Sequence, residues 1–206
     1  LEALHATGKP VVLVLTTGSA LGVSWAQEKL PAILLAWYPG QQGGNAVADV
    51  LFGDTNPAGR LPVTFYESVG QLPPFADYAM EGRTYRYFRG EALYPFGHGL
   101  SYTRFDYSGL RRSRARLGSL DRLEASLDVK NAGARDGEEV VQLYTREVET
   151  GRGAPIRQLR GFERIRLTAG EERRVVFTLV PERDLAHYDE ARKAFAVEPG
   201  EFEIEV

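Results

Sequence analysis

A chain of 206 residues with ordinary apolar and charged content is long enough for one large or two small globular domains with proper cores. Its net charge of −3 argues against a nucleic-acid partner, and the lack of cysteine excludes a disulfide framework or a thiolate metal site. His5, His98 and His187 lie far apart with no carboxylate cluster at ligand spacing, so no metal is expected, and no apolar run reaches the roughly 18 residues that suggest a membrane-spanning helix. In chain order, Leu1, Ala3, Leu4 and Ala6 have the spacing of the last turns of an amphipathic helix stopped by Gly8. No first turn or cap precedes them, so the chain reads as starting in mid-element, as a piece of a longer protein. Residues 10–15, PVVLVL, are apolar in both registers, the pattern of a strand covered on both faces in an α/β sheet. A turn at 16–19, a short helix over 23–30 closed before Pro31 and a second buried strand over 32–36 complete a βα unit.

The glycine-rich loop 37–44, WYPGQQGG, follows a strand end and opens a helix over 45–52, ended by Gly53. It lacks both the GxGxxG spacing and the lysine of a P-loop, so a phosphate cradle is rejected. Loops at the carboxyl ends of parallel strands line the ligand crevice of an open sheet, which makes Trp37, Tyr38 and Gln41 candidate substrate contacts. The alternative, favoured by how often large aromatics are interior, is a packing corner. Residues 54–60, DTNPAGR, read as a turn cluster with no catalytic role, 61–65 as an extended piece leaving the sheet, and 67–80 as a surface-crossing linker.

Residues 81–107 crowd aromatics, arginines and glycines together, and Gly97 and Gly99 make a tight corner around His98. Large rigid rings with polar tips suit a seam between two unlike halves; contact with a ligand or a neighbouring subunit is the alternative. Glu81 is the one carboxylate in a setting that suits an acid/base role. The competing reading is an ion pair with Arg83 or Arg86, because arginine neighbours lower a carboxyl pKa rather than raise it. Arg83 and Tyr85 are the loop residues placed to reach a ligand hydroxyl. Beyond the seam, short alternating runs at 102–107, 123–129, 139–145, 159–167, 175–179, 195–197 and 202–206 give about seven strands, the number of an immunoglobulin-like or fibronectin type III-like β-sandwich. Arg111, Arg112, Arg114 and Arg116 read as a solvated edge that discourages unwanted sheet pairing, not as a nucleic-acid site.

Three blocks in order, YPGQQGGNAVADVLFGDTNPAGRLPVTF, GRTYRYF and YPFGHGLSYTRFDY, with DGEEVVQLY after them, closely resemble the C-terminal part of glycoside hydrolase family 3 enzymes, the β-glucosidase and β-xylosidase group. The resemblance spans nearly the whole chain. It implies the tail of an α/β sandwich over 1–66, a linker and aromatic seam over 67–98, and a fibronectin type III-like β-sandwich over 99–206. It further implies that the nucleophilic aspartate belongs to a preceding (β/α)8 barrel and the acid/base glutamate to the α/β sandwich ahead of residue 1, which leaves this chain without a catalytic residue and inert alone. The implied partners are that N-terminal barrel with the start of the α/β sandwich, and an oligosaccharide or an aryl or alkyl β-glycoside as substrate. A homodimer stays open, and neither membrane nor nucleic acid is implied. No cofactor is implied either, since two-carboxyl hydrolysis needs none. The spacing of GRTYRYF looks more like the β-xylosidase branch, with β-glucosidase the close alternative. A free carbohydrate-binding module and a structural spacer are the competing classes; against the module, the sandwich half shows no exposed aromatic row, since Tyr144, Phe162 and Tyr188 alone are available and they are scattered.

Overall fold

The two composition regimes of the sequence fold as two units in a computed structural model that describes residues 1–148 and 154–206. The first unit holds residues 1–55 and 60–99, and the second holds 56–59 and 100–206.

In the first unit, α1 (Glu2–His5) runs out at Gly8, whose φ is +73°. Strand β1 (Val12–Leu15), helix α2 (Ser24–Lys29) and strand β2 (Ala32–Leu35) follow, and β2 pairs in parallel with β1, Val12 opposite Ala32 and Leu15 opposite Leu35. Helix α2 stops because Leu30, the residue before Pro31, is pushed to extended backbone with φ −103° and ψ 142°. Helix α3 (Gly43–Phe52) ends on Gly53 in the left-handed region at φ 85°. It starts two residues before the predicted 45, at Gly43, where only glycine fits: a Cβ there would meet Pro39 Cβ at 2.4 Å. Neither strand is covered on both faces. Val12 is 45% exposed and the remaining residues of β1 are half-buried, since a two-stranded ribbon with a six-residue helix has too little surface to cover them.

Residues 61–65 do not simply leave the sheet. The N–H of Leu61 donates to His98 O at 2.8 Å, that of Gly97 to Leu61 O at 2.7 Å, and Phe65 and Tyr94 exchange bonds of 2.9 and 3.2 Å. Phe65 becomes almost fully buried there, its ring edge-on to Tyr94 at 6.1 Å. The stretch 67–80 contains a 3-10 turn, Val69–Gln71, and α4 (Thr84–Tyr87) follows it. Thr84 holds a left-handed φ of 56° while its N–H donates to Tyr66 Oη at 2.8 Å.

The second unit is the β-sandwich. Its strands are β3 (Phe105–Arg112), β4 (Leu123–Asn131), β5 (Gly137–Glu147), β6 (Gln158–Leu167), β7 (Glu172–Leu179) and, after α5 (Pro181–Asp184) and the hairpin β8 (His187–Asp189) and β9 (Ala194–Ala196), β10 (Phe202–Glu205). One sheet has the order β3-β4-β7 and the other β10-β5-β6, all antiparallel. Alternation fixes the register: Leu123, Ala125, Leu127 and Val129 of β4 face inward to meet Val141, Leu143, Ile165, Leu167, Val175, Phe177 and Leu179. Each such aliphatic side chain removed from water contributes about 1.5–3 kcal/mol.

At the end of β4, Asn131 has no exposed surface and uses its whole amide. Its Oδ1 accepts from Thr103 Oγ1 at 2.6 Å and from the Gly133 N–H at 3.1 Å, and its Nδ2 donates to Arg135 O at 2.7 Å and Leu167 O at 3.2 Å. Asn56 does the same for the start of the sandwich. Its Oδ1 accepts from Ser101 Oγ at 2.9 Å and the Tyr102 N–H at 2.7 Å, and its Nδ2 donates to Asp136 O at 3.0 Å.

Candidate functional site

The candidate site is built at the carboxyl ends of β1 and β2. Ala36 extends the ladder by donating its N–H to Leu15 O at 2.9 Å, after which the chain turns through Trp37 at a left-handed φ of 53°. A bulky residue in that region carries strain of order 1–3 kcal/mol, a feature that concentrates at ligand-handling sites. The turn aims Tyr38 back over the loop that follows β1, where Thr17 is buried and bonds both the N–H and the carbonyl of Ser19, at 3.3 and 3.2 Å. The Tyr38 ring rests on Gly18 so closely that a Cβ there would come within 2.6 Å of it, yet the side chain stays 76% exposed. Trp37 is half-buried and Gln41 exposed on the same loop. The loop thus presents an open aromatic face at Tyr38 and an exposed amide at Gln41.

The second group of predicted residues lies on the loop that leads into α4. Arg83 is not free to reach outward, because its guanidinium donates to three backbone carbonyls, Asp77 O at 2.7 Å, Pro74 O at 2.9 Å and Ala79 O at 3.2 Å. That arginine therefore shapes the 74–79 loop. Tyr85 lies face to face with Phe96, centroids 4.2 Å apart and planes 18° apart, so one face of its ring is taken. Glu81 is exposed and forms no ion pair among the described residues; Arg83 is held by carbonyls, and the Arg86 guanidinium sits over the Tyr87 ring at 5.6 Å. No hydrogen bond, ion pair or ring contact among the described residues joins Trp37, Tyr38 or Gln41 to Glu81 or Arg83.

Several aromatic rings of the first unit pair with one another. Tyr66 meets Phe88 edge-on at 4.8 Å, and His98 stacks on Tyr94 at 5.1 Å, while the Tyr94 hydroxyl bonds Gln27 Oε1. Burial, with the Arg60 charge adding to it, holds the His98 imidazole below its usual pKa, and burial raises that of the Tyr94 phenol. Among the described residues no group of three His, Cys, Asp or Glu side chains converges on a metal position, and no helix is long and apolar enough to cross a membrane.

Two structurally decisive polar residues escaped the sequence reading, Asn56 and Asn131. Both sit in segments whose Asn, Gly and Pro content signals turns, and nothing in a turn signal distinguishes a side chain that is solvated from one that binds three or four partners, some of them far along the chain.

Comparison with known proteins supplies what the geometry does not. Residues 1–102 match the family description "Glycosyl hydrolase family 3 C-terminal domain", and residues 139–206 match "Fibronectin type III-like domain". The chain is 46% identical over 204 residues to a xylan 1,4-beta-xylosidase of Xylanibacter ruminicola, covering 99% of this chain and 23% of that protein. It is 41% identical to a periplasmic beta-glucosidase of Salmonella typhimurium, covering 99% of this chain and 28% of that one. Among solved structures, a beta-glucosidase from Erythrobacter marinus superposes with a TM-score of 0.85 at 47% identity, over 98% of this chain and 27% of that chain. The chain thus spans about a quarter of the length of these relatives, and both the α/β unit and the β-sandwich lie within the matched region. It belongs to glycoside hydrolase family 3, as that family's C-terminal α/β domain followed by a fibronectin type III-like domain.

Proposed function

We propose that this chain is the C-terminal part of an exo-acting, retaining β-glycosidase that removes terminal β-linked sugars, and that both catalytic carboxyls come from polypeptide outside it. Retaining hydrolysis uses two carboxyls about 5–5.5 Å apart, one attacking the anomeric carbon while the other protonates the leaving oxygen and then activates water. Glu81 does not suit that acid/base role, because among the described residues it stands exposed on its loop, without the burial that raises a carboxyl pKa. Tyr38, Trp37 and Gln41 instead form one wall of the crevice, and Arg83 acts at one remove by holding the 74–79 loop. The observation that carries the reading is the match of 99% of this chain to a β-xylosidase and a β-glucosidase, with the exposed Tyr38 face at the carboxyl edge of the parallel strands.

Reconstitution tests it. Mixed with a separately produced (β/α)8 barrel and the leading part of the α/β sandwich, the chain is expected to restore release of xylose or glucose from nitrophenyl glycosides. Activity from the chain alone, or full activity without it, overturns the reading. For the sugar, the GRTYRYF spacing and the Xylanibacter ruminicola relative favour xyloside, whereas the Salmonella typhimurium and Erythrobacter marinus proteins carry glucosidase names. Steady-state rates on nitrophenyl xyloside and glucoside decide, and a large preference for glucoside reverses the order.

A further inference from the structure

The sandwich carries an exposed aromatic platform that the crevice reading does not use. On the β8–β9 hairpin, Tyr188 and Phe195 are directly opposite each other, and their rings meet edge to face with centroids 5.6 Å apart and planes at 73°. Both stay in solvent, at 53% and 74% exposure. The hairpin beneath them is tied down: Asp189 Oδ1 accepts from the N–H groups of Ala191 and Arg192 at 2.9 and 3.0 Å, and Arg192 returns an ion pair at 3.2 Å. The order of the binding surface is therefore in place before any ligand arrives.

We infer that this platform is a non-catalytic binding site for a β-linked glycan chain of equatorially substituted pyranoses, the chemistry shared by xylan and by β-glucans. Such a sugar presents a face of axial C–H groups, which is attracted to the electron-rich face of an aromatic ring, and a rim of hydroxyls that need hydrogen-bonding partners. His187, Glu190, Lys193 and Glu198, on or next to the same hairpin, are solvent-exposed donors and acceptors, with His187 Nε2 and a Glu198 oxygen 4.0 Å apart. Size decides against a protein partner. A stable protein interface buries about 1,200–2,000 Å² in total, whereas two aromatic side chains contribute about 150–250 Å² each, and the residues between them in sequence include Asp189, Glu190, Arg192 and Lys193. One or two sugar rings need no more than that. The site goes beyond the proposed hydrolysis, because it would hold polymer on the sandwich without touching the scissile bond.

The test is calorimetric titration of the whole chain with xylohexaose and, separately, cellohexaose, which distinguishes the two sources. Saturable binding of at least one is expected. Tyr188→Ala and Phe195→Ala should each weaken it about tenfold. Tyr188→Phe should retain it, and so should Phe162→Ala, which removes an exposed ring on β6. Unchanged melting temperatures certify that the variants fold. The inference is overturned by no binding of either glycan at millimolar concentration, by an equal loss in Phe162→Ala, or by sedimentation showing that Tyr188→Ala converts a dimeric chain to a monomer. Hydrolysis of nitrophenyl xyloside by the reconstituted enzyme should be unaffected by Tyr188→Ala, and a matching loss there would place the ring in the crevice instead. Glycan binding by this chain requires no turnover, so failure of the hydrolase reading and failure of the platform register in different assays.

Discussion

Asn131 is a single polar side chain on which a loop end, a turn and two strands converge, in a place with no exposed surface. Asn131→Ala leaves the Arg135 and Leu167 carbonyls and the Gly133 N–H without that partner, each at the cost of an unmet buried group, so a loss of about 3 kcal/mol in unfolding free energy is expected. Urea unfolding checks it, and a loss below 1 kcal/mol would show that the loop relaxes around the gap. His98 gives a pH signature. Because burial and Arg60 lower its folded-state pKa, the unfolded chain binds more protons between that value and the ordinary one near 6.5. Its contribution to stability is therefore whole above about pH 6.5 and declines as the pH falls through that value towards the folded pKa. The His98→Asn variant should lose that part of the pH dependence, and an NMR titration of the imidazole that gave a raised value would reverse the sign. Glu81→Gln is expected to leave kcat of the reconstituted enzyme within about threefold, whereas removal of a general acid or base costs about 10²–10⁴-fold.

Elements differ in what holds them. The inner sandwich strands β4 and β5 have a sheet neighbour on each side, and β4 places four apolar residues in the core. By contrast β1 and β2 have one ladder between them and no fully buried residue. Amide hydrogen exchange on the chain alone should therefore show β4 and β5 opening only with global unfolding, and β1 and β2 exchanging at least tenfold faster. Equal protection of the two pairs would contradict this. The same contrast explains what was legible in advance. Strands β4, β5, β6 and β7 bury alternate residues, so Leu123, Ala125, Leu127 and Val129 announce themselves. Strand β3 runs on to Arg112, well past the expected 107, because an edge strand with residues 106–112 all exposed needs backbone pairing and not apolar alternation. Gly109, at φ 63° within the register shift between Ser108 and Arg111, also breaks the pattern. Helices α4 and α5 and strand β8, four residues or fewer each, are too short to have a period. The loop holding Tyr38 could be placed from strand-loop-helix order alone. Arg83's three carbonyls could not, because they converge only once the 74–79 loop has folded. Tyr188 and Phe195, seven positions apart, become neighbours only through the unread strand β8.

At the scale of the whole molecule, the chain enters the second unit twice, first for residues 56–59 and then from 100 onward. Asn56 satisfies Ser101, Tyr102 and Asp136 from a segment more than forty residues upstream. A chain truncated to 100–206 keeps the strands but leaves those three partners without the Asn56 amide, and it should unfold at lower urea than the sandwich does in the intact chain, by about 1–3 kcal/mol. A synthetic peptide spanning 54–60, added at millimolar concentration, should recover part of the difference. Equal stability of truncated and intact sandwiches would show that water replaces Asn56 without loss. The feature also bears on ancestry. Two folds joined at one point can be traded between genes by a single recombination without loss, but a sandwich stitched by an upstream asparagine loses stability when it is moved alone. Any crossover near residue 100 delivers the strands to a new host without the residue that closes their first loop. Co-inheritance of the α/β unit and the sandwich therefore spares the sandwich that loss, and a lineage that shed the sandwich would be expected to have rebuilt the DTNPAGR turn as well.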